Sequence, residues 1–311
     1  MEQNGISMIS ASSVTENSSG SKIKSANIVL SKGNEVQMQI HKVEMSWFRK
    51  LMQEDGSVWD TFLMGLAEFI GTAMLLFIGC LGCSSGLGTV RTSFQSAFAF
   101  GLTVMTVLQC IGHISAAHIN PAVTVGSVIL GKKSIPTALV YLVAQITGGI
   151  LGFGLLRVVT PQQHLHAGNP EDTASFCMTL LNDDITVFQG FLMEILATGV
   201  LMFLTCALWD SRNEKNIDSV SVRVGLTVTC LSLTVGPYTG CSMNPARSLA
   251  PAIWNNQWSH HWIFWFGPIA GAILATLLYK TLFWPKDIDK DKFADDHVVL
   301  NGVHSLNPEV N

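Results

Sequence analysis

The chain has 311 residues, of which 48% are hydrophobic and 13% charged, and its formal net charge is -4. A mean hydropathy of +0.37 is far above that of an ordinary soluble domain and indicates a membrane protein. The modest net charge and the lack of a basic block exclude nucleic acid as an expected partner.

Polar tails flank the apolar part of the chain. Residues 1–57 are rich in Ser, Asn, Lys and Glu, a composition that predicts a tail without a packed structure. The start of this tail lacks the basic segment and apolar core of a cleaved signal peptide, so the first membrane span is expected to direct insertion. Residues 285–311 form the second tail, which leaves 58–284 as one predicted membrane domain.

Six apolar runs in this domain are long enough to cross a bilayer. They lie at about 61–82, 94–112, 136–158, 186–208, 221–237 and 260–283. The fold class predicted from them is an all-α membrane protein. Fifteen of the 18 Lys and Arg residues fall in the two tails and in the second and fourth loops, so both termini are expected in the cytoplasm.

The tripeptide Asn-Pro-Ala occurs twice, as Asn120-Pro121-Ala122 and as Asn244-Pro245-Ala246. Asn at an N-cap followed by Pro is typical of a helix start. Both copies lie between apolar runs, so the sequence predicts two short re-entrant half-helices that meet within the membrane. Irregular backbone at that depth is tolerated where it lines a water-filled cavity or is buried in protein.

The two halves of the domain, about 58–160 and 185–284, repeat one pattern. Each begins with a helix that carries a glutamate, Glu68 or Glu194, and later contains its Asn-Pro-Ala. Three spans per half is an odd number, so the second half must enter the membrane from the opposite face. The sequence therefore predicts an inverted internal repeat.

The seven cysteines are odd in number and lack the spacing of metal ligands. Most of them lie inside apolar runs, and Cys177 alone falls in a polar loop. We therefore expect no disulfide framework, no metal and no cofactor.

The segments His113 to Thr124 and Gly240 to Ser248 resemble the two pore loops of the aquaporins, the major intrinsic protein family. The resemblance covers about 58–284 and implies a homotetramer in the cell membrane, with one pore in each protomer. It also implies that Glu68 and Glu194 accept hydrogen bonds from the buried loops. Backbone carbonyls are expected to line the pore at Ala116, Ala117, His118, Gly240, Cys241, Ser242 and Met243.

Two half-helix N-termini that point at one spot create a positive potential that opposes cations and protons. The amides of Asn120 and Asn244 are expected to donate hydrogen bonds to the permeant there. Counting from these two residues with the family spacing places the narrowest part of the pore, here called the filter ring, at Phe100, Ser232, Cys241 and Arg247.

The filter ring departs from that of strict water channels, which usually have His where this chain has Ser232. The smaller side chain predicts a wider opening, suited to a small polyol. This combination resembles the insect entomoglyceroporins and implies a passive channel for water, glycerol and urea. The alternative is that neighbouring side chains refill the gap, which would leave a water-selective channel.

Two other functional classes compete with a channel. A membrane enzyme needs converging nucleophiles, carboxylates or metal ligands, and beyond Glu68 and Glu194 the spans offer no such set. A structural or adhesive membrane protein of the same fold is the stronger rival. Sealed pores with self-association between membranes would favour that reading.

Overall fold

The structure is a computed structural model, which describes five strands between residues 8 and 39 and the ranges 51–53, 55–85, 92–166 and 174–285. The chain divides into two compact units, Met1–Met52 and Gln53–Asn311. The predicted C-terminal tail lies outside the described residues from position 286 onward.

The N-terminal unit contains five short strands, to which the sequence analysis assigned no secondary structure: β1 Met8–Ala11, β2 Thr15–Glu16, β3 Lys22–Ile23, β4 Ala26–Leu30 and β5 Val36–Gln39. An antiparallel sheet has the order β1-β4-β5, and β2 pairs with β3 in a separate antiparallel ladder. The predicted boundary at residue 57 and the lack of a packed structure in this tail stay predictions.

The second unit is helical, with α1 Val58–Leu81, α2 Ser93–Ser115, α3 Pro121–Leu130, α4 Ile135–Val159, α5 Val187–Trp209, α6 Val220–Thr239, α7 Pro245–Asn255 and α8 Ile263–Leu282. Short 3-10 turns occupy Gln162–His164 and Ser211–Ser219. Six helices of the described residues are long and apolar enough to cross a membrane, whereas α3 and α7 have only 10 and 11 residues. The predicted all-α membrane fold is confirmed.

Side-chain caps explain where several helices begin. Ser57 accepts a hydrogen bond from the backbone N–H of Asp60, and the Asp60 carboxylate accepts from the Ser57 N–H, so α1 begins at residue 58 and not at about 61. Thr186 and Gln189 form the same reciprocal pair at the start of α5. Both halves of the repeat therefore open on a helix with a capping box.

The packing follows the inverted repeat. Helix α1 packs on α4 in the first half, as α5 packs on α8 in the second. Each half-helix contacts the last helix of the other half, α3 on α8 and α7 on α4. Helices α2 and α6 pack on each other across the two halves. The half-helices are thereby enclosed by both halves of the domain.

Glycines allow the closest of these helix contacts. Gly148 and Gly152, four residues apart on α4, face the backbone of α1. On α8, Gly271 faces the backbone of α5, and Gly267 lies against the Cβ atom of Glu194 on α5. A Cβ atom at Gly152 would lie under 3.0 Å from the backbone oxygen of Ala73. Such small residues four apart are typical of helices that pack tightly in membranes.

We expect Gly152→Ala to destabilise the domain by about 1–3 kcal/mol, because its methyl group would press on backbone that cannot rotate away. Thermal unfolding of the purified protein, followed by tryptophan fluorescence, measures the change. Gly112→Ala is the matched control, because no atom lies within 4 Å of the added Cβ and alanine is the better helix former. Equal unfolding temperatures for the two variants would contradict the packing argument.

Candidate functional site

Two asparagines lie where the N-termini of α3 and α7 come together. The Asn120 Oδ1 atom accepts a hydrogen bond from the backbone N–H of Ala122 at 2.9 Å, and Asn244 Oδ1 accepts from Ala246 at 3.0 Å. Each Asn therefore caps its own half-helix, while the Pro and Ala of each tripeptide are buried in the first turn.

The same two side chains also reach across to the opposite loop. Asn120 Nδ2 donates to the Met243 carbonyl and Asn244 Nδ2 donates to the Ile119 carbonyl, both at 2.8 Å. An amide nitrogen carries two hydrogens, so each Asn keeps a second donor after this contact. The pair of bonds fixes both amides in one orientation, and it obeys the symmetry of the repeat.

The backbone before each half-helix is left-handed at corresponding positions. The residues four, three and one before each Asn have positive φ: Ala116, Ala117, Ile119, Gly240, Cys241 and Met243. Residues other than glycine rarely adopt this conformation, so contacts with the surroundings must hold it. Because the chain leaves helical geometry here, its carbonyls are released from the helical hydrogen-bond ladder.

Glu68 supplies many of these contacts for the first loop. It is fully buried, and its Oε1 atom accepts from the Ser115 hydroxyl at 2.6 Å and the His118 N–H at 2.9 Å. Its Oε2 atom accepts from the Ile119 N–H at 2.6 Å and from Gln145 Nε2 at 2.8 Å. Four donors surround the carboxylate, which offsets much of the cost of burying it.

Glu194 does the same for the second loop. It is fully buried, with Oε1 accepting from the Thr239 hydroxyl at 2.5 Å and the Ser242 N–H at 2.9 Å. Its Oε2 atom accepts from the Met243 N–H at 2.9 Å. Each glutamate thus binds a hydroxyl five positions before the Asn and the N–H groups two and one positions before it.

A cavity of about 470 Å³ passes both loops. Its lining includes Val220, the first residue of α6, and Pro237, close to the last, so it follows that helix along nearly its whole length. At the helical rise this is about 26 Å, close to the thickness of the hydrocarbon core of a bilayer. All the residues predicted to supply carbonyls line it: Ala116, Ala117, His118, Gly240, Cys241, Ser242 and Met243. Asn120 and Asn244 line it as well.

The four residues predicted as the filter ring also line this cavity. The guanidinium carbon of Arg247 lies 4.6 Å from the centre of the Phe100 ring, a cation–π distance. Ser232, on α6, and Cys241, in the second loop, line the same cavity. Residues from α2, α6, α7 and the second loop thus line one cavity, although they are far apart in sequence.

Arg247 has a further partner that the sequence did not indicate. Its Nη1 atom donates to the backbone carbonyl of Cys177 at 2.7 Å. The Cys177 sulfur forms a disulfide bond with Cys80 of α1. The expectation that the cysteines form no disulfide was therefore wrong: the fold brings the Cα atoms of two residues 97 positions apart to within 5.6 Å. An odd number of cysteines does not prevent two of them from forming one disulfide bond.

The opposite end of the cavity is lined by rings. The His118 ring lies 5.4 Å from that of Trp209 and 5.1 Å from that of Tyr141, measured between centroids. His118 Nδ1 is 3.2 Å from the Thr124 hydroxyl. Both His118 and Trp209 line the cavity, so an imidazole and an indole form part of its wall.

Asp210, next to Trp209, fixes the end of α5. Its carboxylate accepts hydrogen bonds from Arg212 Nε at 2.9 Å and Nη2 at 2.6 Å, and from the Tyr279 hydroxyl at 3.1 Å. The hydrogen bonds from Arg212 outweigh burial and lower the pKa of Asp210 to about 2, so the group is ionised at neutral pH.

Sequence reasoning missed several residues of this site. Ser115 and Thr239 could have been found, because both stand five positions before an Asn of the repeat. Gln145 and Cys177 carry no such signal, since their partners lie 77 and 70 positions away. The carbonyl of Ile119 was also left out, although it is the repeat counterpart of Met243.

Comparison with known proteins agrees with this geometry. The family model of the major intrinsic proteins matches residues 57–279. Aquaporin-2 of Bos taurus is 38% identical over 220 residues, which cover 71% of this chain and 78% of that protein. Aquaporin-4 of Homo sapiens is 40% identical over 235 residues, which cover 74% of this chain and 70% of that protein.

The fold also matches a solved structure. The X-ray structure of the aquaglyceroporin from Plasmodium falciparum superposes with a TM-score of 0.65, covering 71% of this chain and 96% of that one at 23% identity. The family predicted from the two pore loops is confirmed. With a family model that spans well over half of its length, the chain belongs to the major intrinsic proteins, the aquaporins, and is a multi-pass membrane channel and not an enzyme.

Proposed function

We propose that this channel passes water, glycerol and urea by passive diffusion and excludes ions and protons. The observation that carries the proposal is the composition of the filter ring, in which the small Ser232 lines the same cavity as the paired Phe100 and Arg247. A hydroxymethyl group fills far less of the lumen than the imidazole usual in strict water channels.

The chemistry of the lining supports a polyol as permeant. Glycerol presents hydroxyls on one side and hydrocarbon on the other. In the filter ring, Phe100 offers an aromatic face, while Arg247 and Ser232 offer hydrogen-bonding groups. The cavity lining also includes the carbonyl-bearing loops and apolar side chains such as Val104 and Val228. Polar and apolar groups along one path suit such a molecule.

The charges around the cavity support the exclusion of cations. Two half-helix N-termini meet at Asn120 and Asn244, and each contributes roughly half a positive elementary charge. Arg247 adds a full positive charge at the filter ring. Among the described residues that line the cavity, none is Asp or Glu, so no carboxylate offers a cation a compensating site. A cation would lose hydration without gaining a counter-charge.

We also infer the orientation and the assembly. Disulfides form in oxidising compartments, so the end of the domain that carries Cys80 and Cys177 should face the outside of the cell. Since Cys80 lies near the end of α1, the helix then starts on the cytoplasmic side, in agreement with the Lys and Arg distribution. The family resemblance adds a homotetramer in the cell membrane with one pore in each protomer.

Reconstitution of the purified protein into liposomes tests the permeants. Stopped-flow light scattering should show water, glycerol and urea permeabilities well above those of protein-free liposomes, and a potassium-gradient dye assay should show no ion leak. Water flux without glycerol or urea flux would favour the water-selective alternative. No flux of any kind, together with adhesion between vesicles, would favour the structural alternative.

Mercurial reagents are expected to inhibit the flux through Cys241, because its free thiol lines the filter ring and a bound mercury atom would fill the lumen. Cys241→Ser, compared with its own untreated flux, should lose this inhibition. Cys83→Ser is the matched control, since Cys83 is another free thiol that lines the cavity, whereas Cys177 is in the disulfide. Inhibition retained in Cys241→Ser and lost in Cys83→Ser would place the reactive thiol at Cys83.

A further inference from the structure

The loop segment 176–179 lies against the half-helix α7 and is hydrogen-bonded to it at three points. The Phe176 carbonyl accepts from Asn255 Nδ2 at 3.0 Å, and the Cys177 carbonyl accepts from Arg247 Nη1 at 2.7 Å. The Thr179 hydroxyl donates to that of Ser248 at 2.8 Å. This segment thereby forms part of the wall behind the filter ring.

Cys177 is the residue at which this segment is covalently attached to the rest of the domain. Its side chain is bonded to Cys80 near the end of α1, and its own carbonyl holds Arg247. Both cysteines are buried, and Cys177 also lines the cavity. The disulfide and the filter arginine are therefore linked through the backbone of a single residue.

The backbone of Cys177 is in a conformation that needs such an attachment. Its φ is 55°, in the left-handed region that residues other than glycine rarely adopt. The Phe176 ring packs on the Phe153 ring, with 6.0 Å between their centroids. This contact holds the residue before Cys177 and not the Cys177 carbonyl itself. The same residue is bonded to Cys80 through its side chain and to Arg247 through its carbonyl.

We propose that the Cys80–Cys177 disulfide positions Arg247 in the filter ring and so sets the upper size of the solutes that pass. The proposal rests on the proposed function only because it treats Arg247 as part of the filter ring, the narrowest part of the pore. Without the bond, the Cys177 carbonyl leaves Arg247 and the guanidinium becomes mobile. The opening then widens, and water is affected less than large solutes.

The test compares erythritol, glycerol and water permeabilities of the full chain in liposomes. In Cys80→Ala/Cys177→Ala we expect the ratio of erythritol to water permeability to rise about tenfold. This is the size of effect expected for the loss of one hydrogen bond to a charged group, here the bond from Arg247 to the Cys177 carbonyl. Cys110→Ser is the matched control, because Cys110 is a free, exposed cysteine outside the cavity. A purely stabilising disulfide would lower the yield and the unfolding temperature without changing this ratio.

A double-mutant cycle isolates the route through Arg247. Arg247→Ala should itself raise the ratio, and adding the two cysteine substitutions to Arg247→Ala should then change it no further. Independent, multiplicative effects would overturn the proposal, because the disulfide would then act on the pore by another route. An unchanged ratio in the cysteine variant at normal yield would overturn it as well.

Chemical reduction gives a second measurement should the cysteine variant fold poorly. Two electrons and two protons from dithiothreitol convert the disulfide to two thiols, and the reagent becomes a cyclic disulfide. Alkylation of the denatured protein should count five thiols before reduction and seven afterwards, since five of the seven cysteines are free. Reduced wild-type protein should show the same rise in the ratio. Seven thiols before reduction, or no rise once seven are counted, would overturn the proposal.

These outcomes separate the two proposals. If wild-type protein conducts water but excludes glycerol, the proposed function fails, yet a higher solute-to-water ratio on loss of the disulfide still supports its positioning role. If wild-type protein conducts glycerol and loss of the disulfide leaves the ratio of erythritol to water permeability unchanged, the proposed function stands and the positioning role of the disulfide fails.

Discussion

Ser232→His is expected to reduce glycerol and urea flux to the level of protein-free liposomes, while water permeability stays within about twofold of wild type. The imidazole is larger than the hydroxymethyl group that it replaces and would fill part of the filter ring, whose members Phe100 and Arg247 are nine-tenths or more buried and hence fixed in place. The substitution is expected to narrow the filter ring, so solutes broader than water are excluded first. Stopped-flow measurements on one liposome preparation, with each solute in turn, give the three permeabilities.

Ser232→Ala separates width from hydrogen bonding at this position. It removes the hydroxyl but leaves the wall open, so glycerol flux should persist. Equal losses of glycerol flux in Ser232→His and Ser232→Ala would mean that the hydroxyl, and not the opening, governs passage. Undiminished glycerol flux in Ser232→His would place the narrowest point at another residue.

Asn120→Asp and Asn244→Asp are expected to lower water flux several-fold and to introduce a cation leak. An ionised aspartate still caps its half-helix but has no hydrogen to donate. Its oxygen would then face the Met243 or Ile119 carbonyl at the 2.8 Å now occupied by an N–H···O bond, and its charge would offset the positive half-helix ends. Water flux and dye-detected potassium flux measure the two effects.

Asn256→Asp is the matched control for the added charge. Asn256 is exposed, lies just after α7, and uses its Oδ1 atom as an acceptor for Trp258 Nε1 at 3.1 Å, which an aspartate can replace. It should leave both fluxes unchanged. Folded Asn120→Asp protein with normal water flux and no leak would contradict the barrier we assign to the two half-helices.

Much of the architecture could be predicted because it depends on local sequence patterns. Apolar length fixes the six spans, and the Asn-Pro pairs fix the starts of α3 and α7 through cap chemistry. The errors at helix ends were small and have local causes. Helix α2 runs to Ser115, beyond the predicted end at about 112, because Ala116 provides a left-handed C-cap whose N–H bonds to Gly112.

The sequence alone determined the elements that repeat: the spans, the two Asn-Pro-Ala starts, and the positions of Glu68 and Glu194. Each depends on a local rule or on a match between halves. Only the tertiary structure decided which distant groups complete them, such as Gln145 on Glu68 and the Cys177 carbonyl on Arg247. These contacts join separate helices and loops, and the described residues of the other half show no counterpart of them. Their partners were selected by the packing of α1, α4 and α7, which brings a loop cysteine to Cys80 and makes its backbone part of the pore.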